Sequence, residues 1–207
     1  MNNDNDKTVF SMKIIGITAP IGCGKSYIAD LFAEHGIQTI DADKVYHSMI
    51  CTPTELVSEI SDEFGKDVLS ADGALDRKKL GELVFSNPQK LSRLNEITHN
   101  AVIRKMLGIL KQHECDGAKA VTVQVPLMFE SEFYKHCDLI ICVAADTNTR
   151  IERICKRDAC SRAEAIKRIN NQKDIEFYIA NSDKTVYNNT YDDPIEQVNC
   201  LINDLNL

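Results

Sequence analysis

The chain has 207 residues, with 43% hydrophobic and 27% charged residues and a formal net charge of -7. This is room for one medium domain with insertions, and too acidic a balance for a general nucleic-acid binder. No apolar run approaches the ~20 residues that span a bilayer, and the start "MNNDNDKTVFS" lacks a secretory pattern, so the cytoplasm is the expected location.

Residues 1–11 read as a short disordered leader, with the fold starting at Met12. Residues 12–18, "MKIIGIT", form an apolar run suited to a strand. "KSYIADLFAEH" (25–35) then places Ile28, Leu31, Phe32 and His35 at helical spacing, and Gly36 stops the helix. "IQTID" (37–41) predicts a second strand. Residues 44–116 read as a mostly helical insertion, too long for a crossover and punctuated by Pro88. Strands return at 119–126 and 138–145, as short β-branched runs of the kind buried on both faces. A basic helical segment at 147–180, a strand at 184–187 and a closing helix, "PIEQVNCLINDL", complete the chain. This alternation predicts an α/β fold: one parallel sheet flanked by helices. The expected layout is a nucleotide-binding core (12–43, 117–146, 181–207), a helical insertion (44–116) and a helical lid (147–180). Eight cysteines, none spaced C-x-x-C, read as reduced and mostly buried thiols.

The most informative stretch is "TAPIGCGKS" (18–26). A phosphate-cradling loop has the spacing G-x-x-x-x-G-K-[ST]. Its glycines permit positive φ and let backbone N–H groups converge on phosphate oxygens. The helix that follows offers its positive N-terminal end. Here Gly22, Gly24, Lys25 and Ser26 match, between a strand and an amphipathic helix, while Ala19 replaces the first glycine and Pro20 brings no N–H. Such a loop binds nucleoside triphosphate, its Lys on the β/γ-phosphates and its Ser on Mg²⁺. Gly22, Cys23, Gly24, Lys25, Ser26 and Tyr27 are the candidate ATP-binding residues, and Ser26 the candidate magnesium ligand.

Further pieces follow in order: "IDADKV", "ALDRKKLGELVFSNPQKLSRLNEITHNAV", "VPLMFE", "RIERICKRDACSRAEAIKRINNQ" and "VYNN". Together with the loop they resemble the dephospho-CoA kinase family over nearly the whole chain from residue 13. Ala19 and Pro20 depart from two family glycines. Asn100 stands where the family usually has Pro, a change expected to affect only a turn or helix start. The resemblance implies transfer of the ATP γ-phosphoryl to the ribose 3′-hydroxyl of dephospho-CoA, in a phosphate-loop nucleoside-triphosphatase fold with a helical acceptor-binding insertion.

In that frame Lys25 follows the transferred group. Asp43 is the candidate base, by resemblance. An extended "DAD" would point Asp41 and Asp43 the same way, and helix capping is the alternative for either. Residues 150–173 carry eight cations (Arg150, Arg153, Lys156, Arg157, Arg162, Lys167, Arg168, Lys173) against Glu152, Asp158 and Glu164. That fits a lid over ATP phosphates, with Arg157 the candidate transition-state clamp. Arg77 is a candidate for the acceptor's anionic part, or a surface ion pair. Glu130 would organise Mg²⁺ or substrate, or close a turn. Asn188 is a candidate adenine contact, or a plain turn residue. His99 reads as packed or capping. Expected partners are ATP, dephospho-CoA and Mg²⁺, with no nucleic acid and no membrane, in a monomer or weak homo-oligomer. Two rivals stay open: another small-molecule kinase with a nucleotide or shikimate-like acceptor, and a non-catalytic nucleotide switch. "NQKD" (171–174) resembles a guanine reader but falls in the basic helical segment.

Overall fold

The structure, a computed structural model, describes residues 10–207. Most of the expected leader therefore lies outside the described residues. Its last residue is anchored, because the Ser11 hydroxyl donates to Glu114 Oε1 at 2.7 Å.

Strand β1 (Lys13–Thr18) is buried at every residue after the first. Its three isoleucines suit a strand covered on both faces. β1 pairs in parallel with β3 (Ala120–Gln124) on one side and β4 (Leu139–Ala144) on the other. β5 (Lys184–Tyr187) pairs in parallel with β4, and β2 (Gln38–Asp41) lies beyond β3, giving the order β2-β3-β1-β4-β5. The expected parallel α/β sheet is what forms. The chain leaves β1 toward one side of the sheet and later returns to the other. The C-terminal end of β1 is thus a switch point, where α/β sheets bind ligands.

The helix following β1, α1 (Lys25–Glu34), buries Ile28, Ala29, Leu31 and Phe32. They join Ile15, Ile17, Ile141, Val143 and Val186 in one core, which also contains Val198 and Leu201 of the last helix (Pro194–Leu205). Ala19 and Cys23 belong to the same core, so the loop is packed from below. His35 falls just beyond α1, with its ring bonded to the Leu31 carbonyl.

The chain forms two compact units, one running to Ile40 and resuming at Lys111–Leu207, the other Asp41–Leu110. The second contains α2 (Ala42–Ile50), α3 (Glu55–Phe64), α4 (Arg77–Phe85) and most of α5 (Pro88–Cys115). Leu56, Ile60, Val68, Leu80, Val84 and Ile97 make its separate core. Pro88 opens α5 and the Asn87 side chain accepts from the Gln89 and Lys90 amides, a sequence-local helix start. α5 then continues for 28 residues. Asn100 lies well inside it, so the expectation of a turn or helix start there is corrected. An Asn keeps the backbone N–H that a Pro would remove, and the helix runs on.

All eight cysteines are free, but only Cys23 and Cys142 are buried; Cys51, Cys115 and Cys200 are exposed. The reading of mostly buried thiols is corrected, since these three fall on outward helix faces or ends. Burial pushes the Cys142 thiol up to about 12 from an ordinary 9.0. The folded chain therefore keeps this proton after the unfolded chain has released it. Stability contributed by the neutral thiol is complete below pH 9.0 and declines as pH climbs toward about 12. Urea titrations across this window are expected to show that decline, and Cys142→Ala to flatten it.

Candidate active site

The loop leaves β1 at Ala19 and reaches α1 through Gly22 and Gly24, whose φ angles are 86° and 91°. Both positions need glycine for space as well. A Cβ on Gly24 would lie 2.3 Å from Asn188 Nδ2, and one on Gly22 would lie 2.9 Å from the Arg150 carbonyl oxygen. Pro20 and Ala19 are buried, and the Pro20 carbonyl accepts from the Cys23 amide at 3.3 Å. Pro20 serves as an acceptor in a tight turn, and its missing N–H is not called upon there.

Two carbonyls of the loop are tied back into the protein. Ile21 O accepts from Arg150 Nε at 2.9 Å. Cys23 O accepts from Asn188 Nδ2 at 2.8 Å and from Arg153 Nη1 at 3.3 Å. In a planar trans peptide the C=O and the next N–H point in opposite directions. Holding Ile21 O and Cys23 O inward therefore turns the Gly22 and Gly24 amides outward. Gly24 is also the N-cap of α1, with no side chain capping it, so the first-turn amides of α1 have no intrahelical acceptor. These donors and the helix dipole define an anion cradle.

Lys25 opens α1; Ser26 and Tyr27 follow on an exposed first turn. Cys23 is fully buried among core residues, and burial pushes its thiol up despite the opposing charges of Arg150 and Arg153. Its side chain is a filler and its carbonyl the anchor. The Cys23 amide, one of the expected phosphate donors, is engaged by Pro20.

Several expected residues sit differently. Asn188, read as an adenine contact, is buried and spends its amide on Cys23 O while its Oδ1 accepts from Arg153 Nη2. It is a strut beneath the loop, held by its own amide to Ala144 O at 2.8 Å. Arg157, the expected clamp, grips Asp158 with two bonds of 2.7 and 2.9 Å. Asp158 also takes Arg168, and the Arg157 hydrogen bond chiefly holds its carboxyl below the usual range. Glu130 pairs with Lys173 at 3.4 Å, and that ammonium lies over the Phe177 ring. "NQKD" closes one helix and opens another, and Gln172 Oε1 accepts from the Ile21 amide at 2.7 Å. It is a loop contact, not a base reader.

Sequence reasoning singled out neither Arg150 nor Arg153 for the loop. Their i, i+3 spacing on α6 (Thr147–Asp158) puts both on one face. Only folding shows that this face meets Ile21 and Cys23.

In the other unit, Asp41 caps α2 by accepting from the Asp43 and Lys44 amides. Asp43 is therefore helical and exposed. The extended "DAD" is corrected, because the cap starts the helix between the two carboxylates. Arg77 is the exposed first residue of α4 and lines a cavity of ≈ 480 Å³ with Tyr46, Leu80, Phe85, Leu91 and Asn95. His99 is a half-buried residue within α5.

Residues 13–193 match the sequence model of dephospho-CoA kinase. The chain belongs to the dephospho-CoA kinase family. It is 37% identical over 175 residues to a dephospho-CoA kinase of Bacillus cereus, covering 84% of this chain and 88% of the relative. A second, from Fusobacterium nucleatum, is 39% identical over 180 residues, covering 87% and 91%. The solved structure of the dephospho-CoA kinase from Campylobacter jejuni is 28% identical, with a TM-score of 0.69 and coverage of 93% and 96%. Family membership accounts for the α/β phosphate-loop architecture and for kinase chemistry with ATP. No helix among the described residues is long and apolar enough to cross a membrane.

The loop geometry makes a sharp expectation. In Gly24→Ala the new methyl clashes with Asn188 and the backbone is strained by roughly 1–2 kcal/mol. Calorimetry is expected to show ATP affinity falling more than about tenfold, with the circular-dichroism spectrum unchanged.

Proposed function

We propose that the chain phosphorylates the ribose 3′-hydroxyl of dephospho-CoA from ATP, yielding coenzyme A and ADP. The carrying observation is the outward-turned amides of Gly22 and Gly24 at the uncapped start of α1, in a chain of this family. The cradle receives the β- and γ-phosphates, with Lys25 following the transferred group. Asp43 accepts the proton of the attacking hydroxyl, whose oxygen bonds to the γ-phosphorus as the bond to the ADP oxygen breaks. Arg77, which lines its cavity, binds the acceptor's anionic part. Arg157 exchanges Asp158 for the migrating phosphoryl, since a guanidinium fork pairs as well with phosphate as with carboxylate.

Magnesium fits the residues present. Mg²⁺ is held by few protein oxygens, with waters and phosphates supplying the rest. Ser26 offers an exposed hydroxyl, and Gln124 at the end of β3 has a buried Oε1 without a partner. No cluster of three His, Cys, Asp or Glu suited to a metal occurs among the described residues. Such an ion would come with the nucleotide and would be held by Ser26, where it would supply charge neutralisation to the phosphates. The enzyme works in the cytoplasm as a monomer or weak homo-oligomer.

Incubation with ATP, Mg²⁺ and dephospho-CoA is expected to yield a product heavier by one phosphoryl group, detected by mass. Lys25→Ala and Asp43→Asn should each lower kcat by about 10²-fold or more. Turnover at the parent rate in folded Asp43→Asn would remove Asp43 from its role. A nucleotide or shikimate-like acceptor preferred over dephospho-CoA would overturn the substrate.

A further inference from the structure

Arg150 is only 4% exposed, yet it forms no ion pair among the described residues. Its Nε is committed to Ile21 O, while its Nη2 is buried with no partner. A desolvated guanidinium without a counter-charge is costly in a folded protein. Its place on α6 adds to the cost, for it lies in the first turn, where the helix dipole repels cations. The first turn carries no acidic residue, and the N-cap carboxylate, Asp146, is exposed and already accepts from the Thr149 amide and hydroxyl. The protein therefore holds an uncompensated charge directly behind the phosphate loop: the backbone and Cβ of Arg150 are what a side chain at Gly22 would strike, at 2.9–3.1 Å. Its charge also reaches the Cys23 thiol and the Tyr178 hydroxyl, pulling both down against their burial.

We infer that Arg150 is a positioning residue whose missing counter-anion is the polyphosphate of the bound nucleotide. Its hydrogen bond aims the Gly22 amide, and its charge, acting through the thin glycine backbone, raises the positive potential of the cradle. Because this charge is built in, it attracts the triphosphate before any metal does. Low-dielectric surroundings make one such charge count far more than a solvated surface lysine would. The residue thus sets how strongly nucleotide is held without metal. The inference rests on the nucleotide reading of the loop.

Calorimetry with ATP and with inorganic tripolyphosphate, both in EDTA, tests it on the full chain, alongside Arg150→Lys and Arg150→Met. Arg150→Met is expected to weaken both ligands about tenfold or more, the effect of losing one charge interaction. Arg150→Lys keeps the charge and should stay within about threefold of the parent. A structural role alone would not produce a second signature. Unliganded Arg150→Met should melt higher than the parent, because a buried unpaired charge is gone, while its ATP-induced rise in Tm shrinks. Arg150→Gln supplies an uncharged variant with a polar head should the Met variant not fold. Equal affinity in the parent and the uncharged variants, equal loss in Lys and Met, or a lower unliganded Tm in both uncharged variants would each overturn the inference. If the parent itself binds neither ligand, the nucleotide reading falls first and this one with it.

Discussion

The carbonyl of Cys23 is the point on which the site turns. Left alone, a glycine-rich loop samples many backbone states, and its amides face in as many directions. Two donors, Asn188 Nδ2 and Arg153 Nη1, draw this carbonyl inward. The Gly24 amide on the same peptide plane then has one direction left. Arg150 does the same for Gly22 through Ile21 O, and Gln172 takes the Ile21 amide. The loop is organised before any ligand arrives, which reduces the ordering cost of binding.

The struts come from far along the chain. Asn188 follows β5, Arg150 and Arg153 lie on α6, and Gln172 falls between two later helices. Parallel strands make this possible, since the segments leaving β1, β4 and β5 emerge at one edge of the sheet. The register pairs Thr18 with Cys142 and Ala144 with Tyr187, so the loop, the start of α6 and Asn188 are brought together by strand pairing. Core packing reinforces the register. Cys23 and Ala19 are buried with Ile28, Val143 and Val186, and a shift of the loop would open that core.

The cations of the basic segment separate according to what they meet. Arg150 and Arg153 face the loop, Arg157 and Arg168 share Asp158, and Lys173 spans Glu130 and an aromatic ring. A run that looks like one charged surface is three different environments. The first is buried at Arg150 and half-buried at Arg153. The second is two exposed arginines sharing one half-buried carboxylate, a surface arrangement worth little to stability.

By itself the sequence determined the elements and the loop. Spacing of apolar residues placed the strand at 184–187 and the closing helix at 194–205, and the glycine pattern before Lys25 marked the cradle. These signals are local, because periodicity and positive φ belong to neighbouring residues. Asn100 inside a continuous helix, and Asp43 beyond a cap, already strained local reading, since the same residues suit a turn, a strand end or a helix. Only the tertiary structure decided which arginines serve the loop and that Asn188 is a strut. Those assignments depend on contacts across 129 to 165 positions of chain, and nothing in the residues flanking Arg150 or Asn188 records what the fold will set against them.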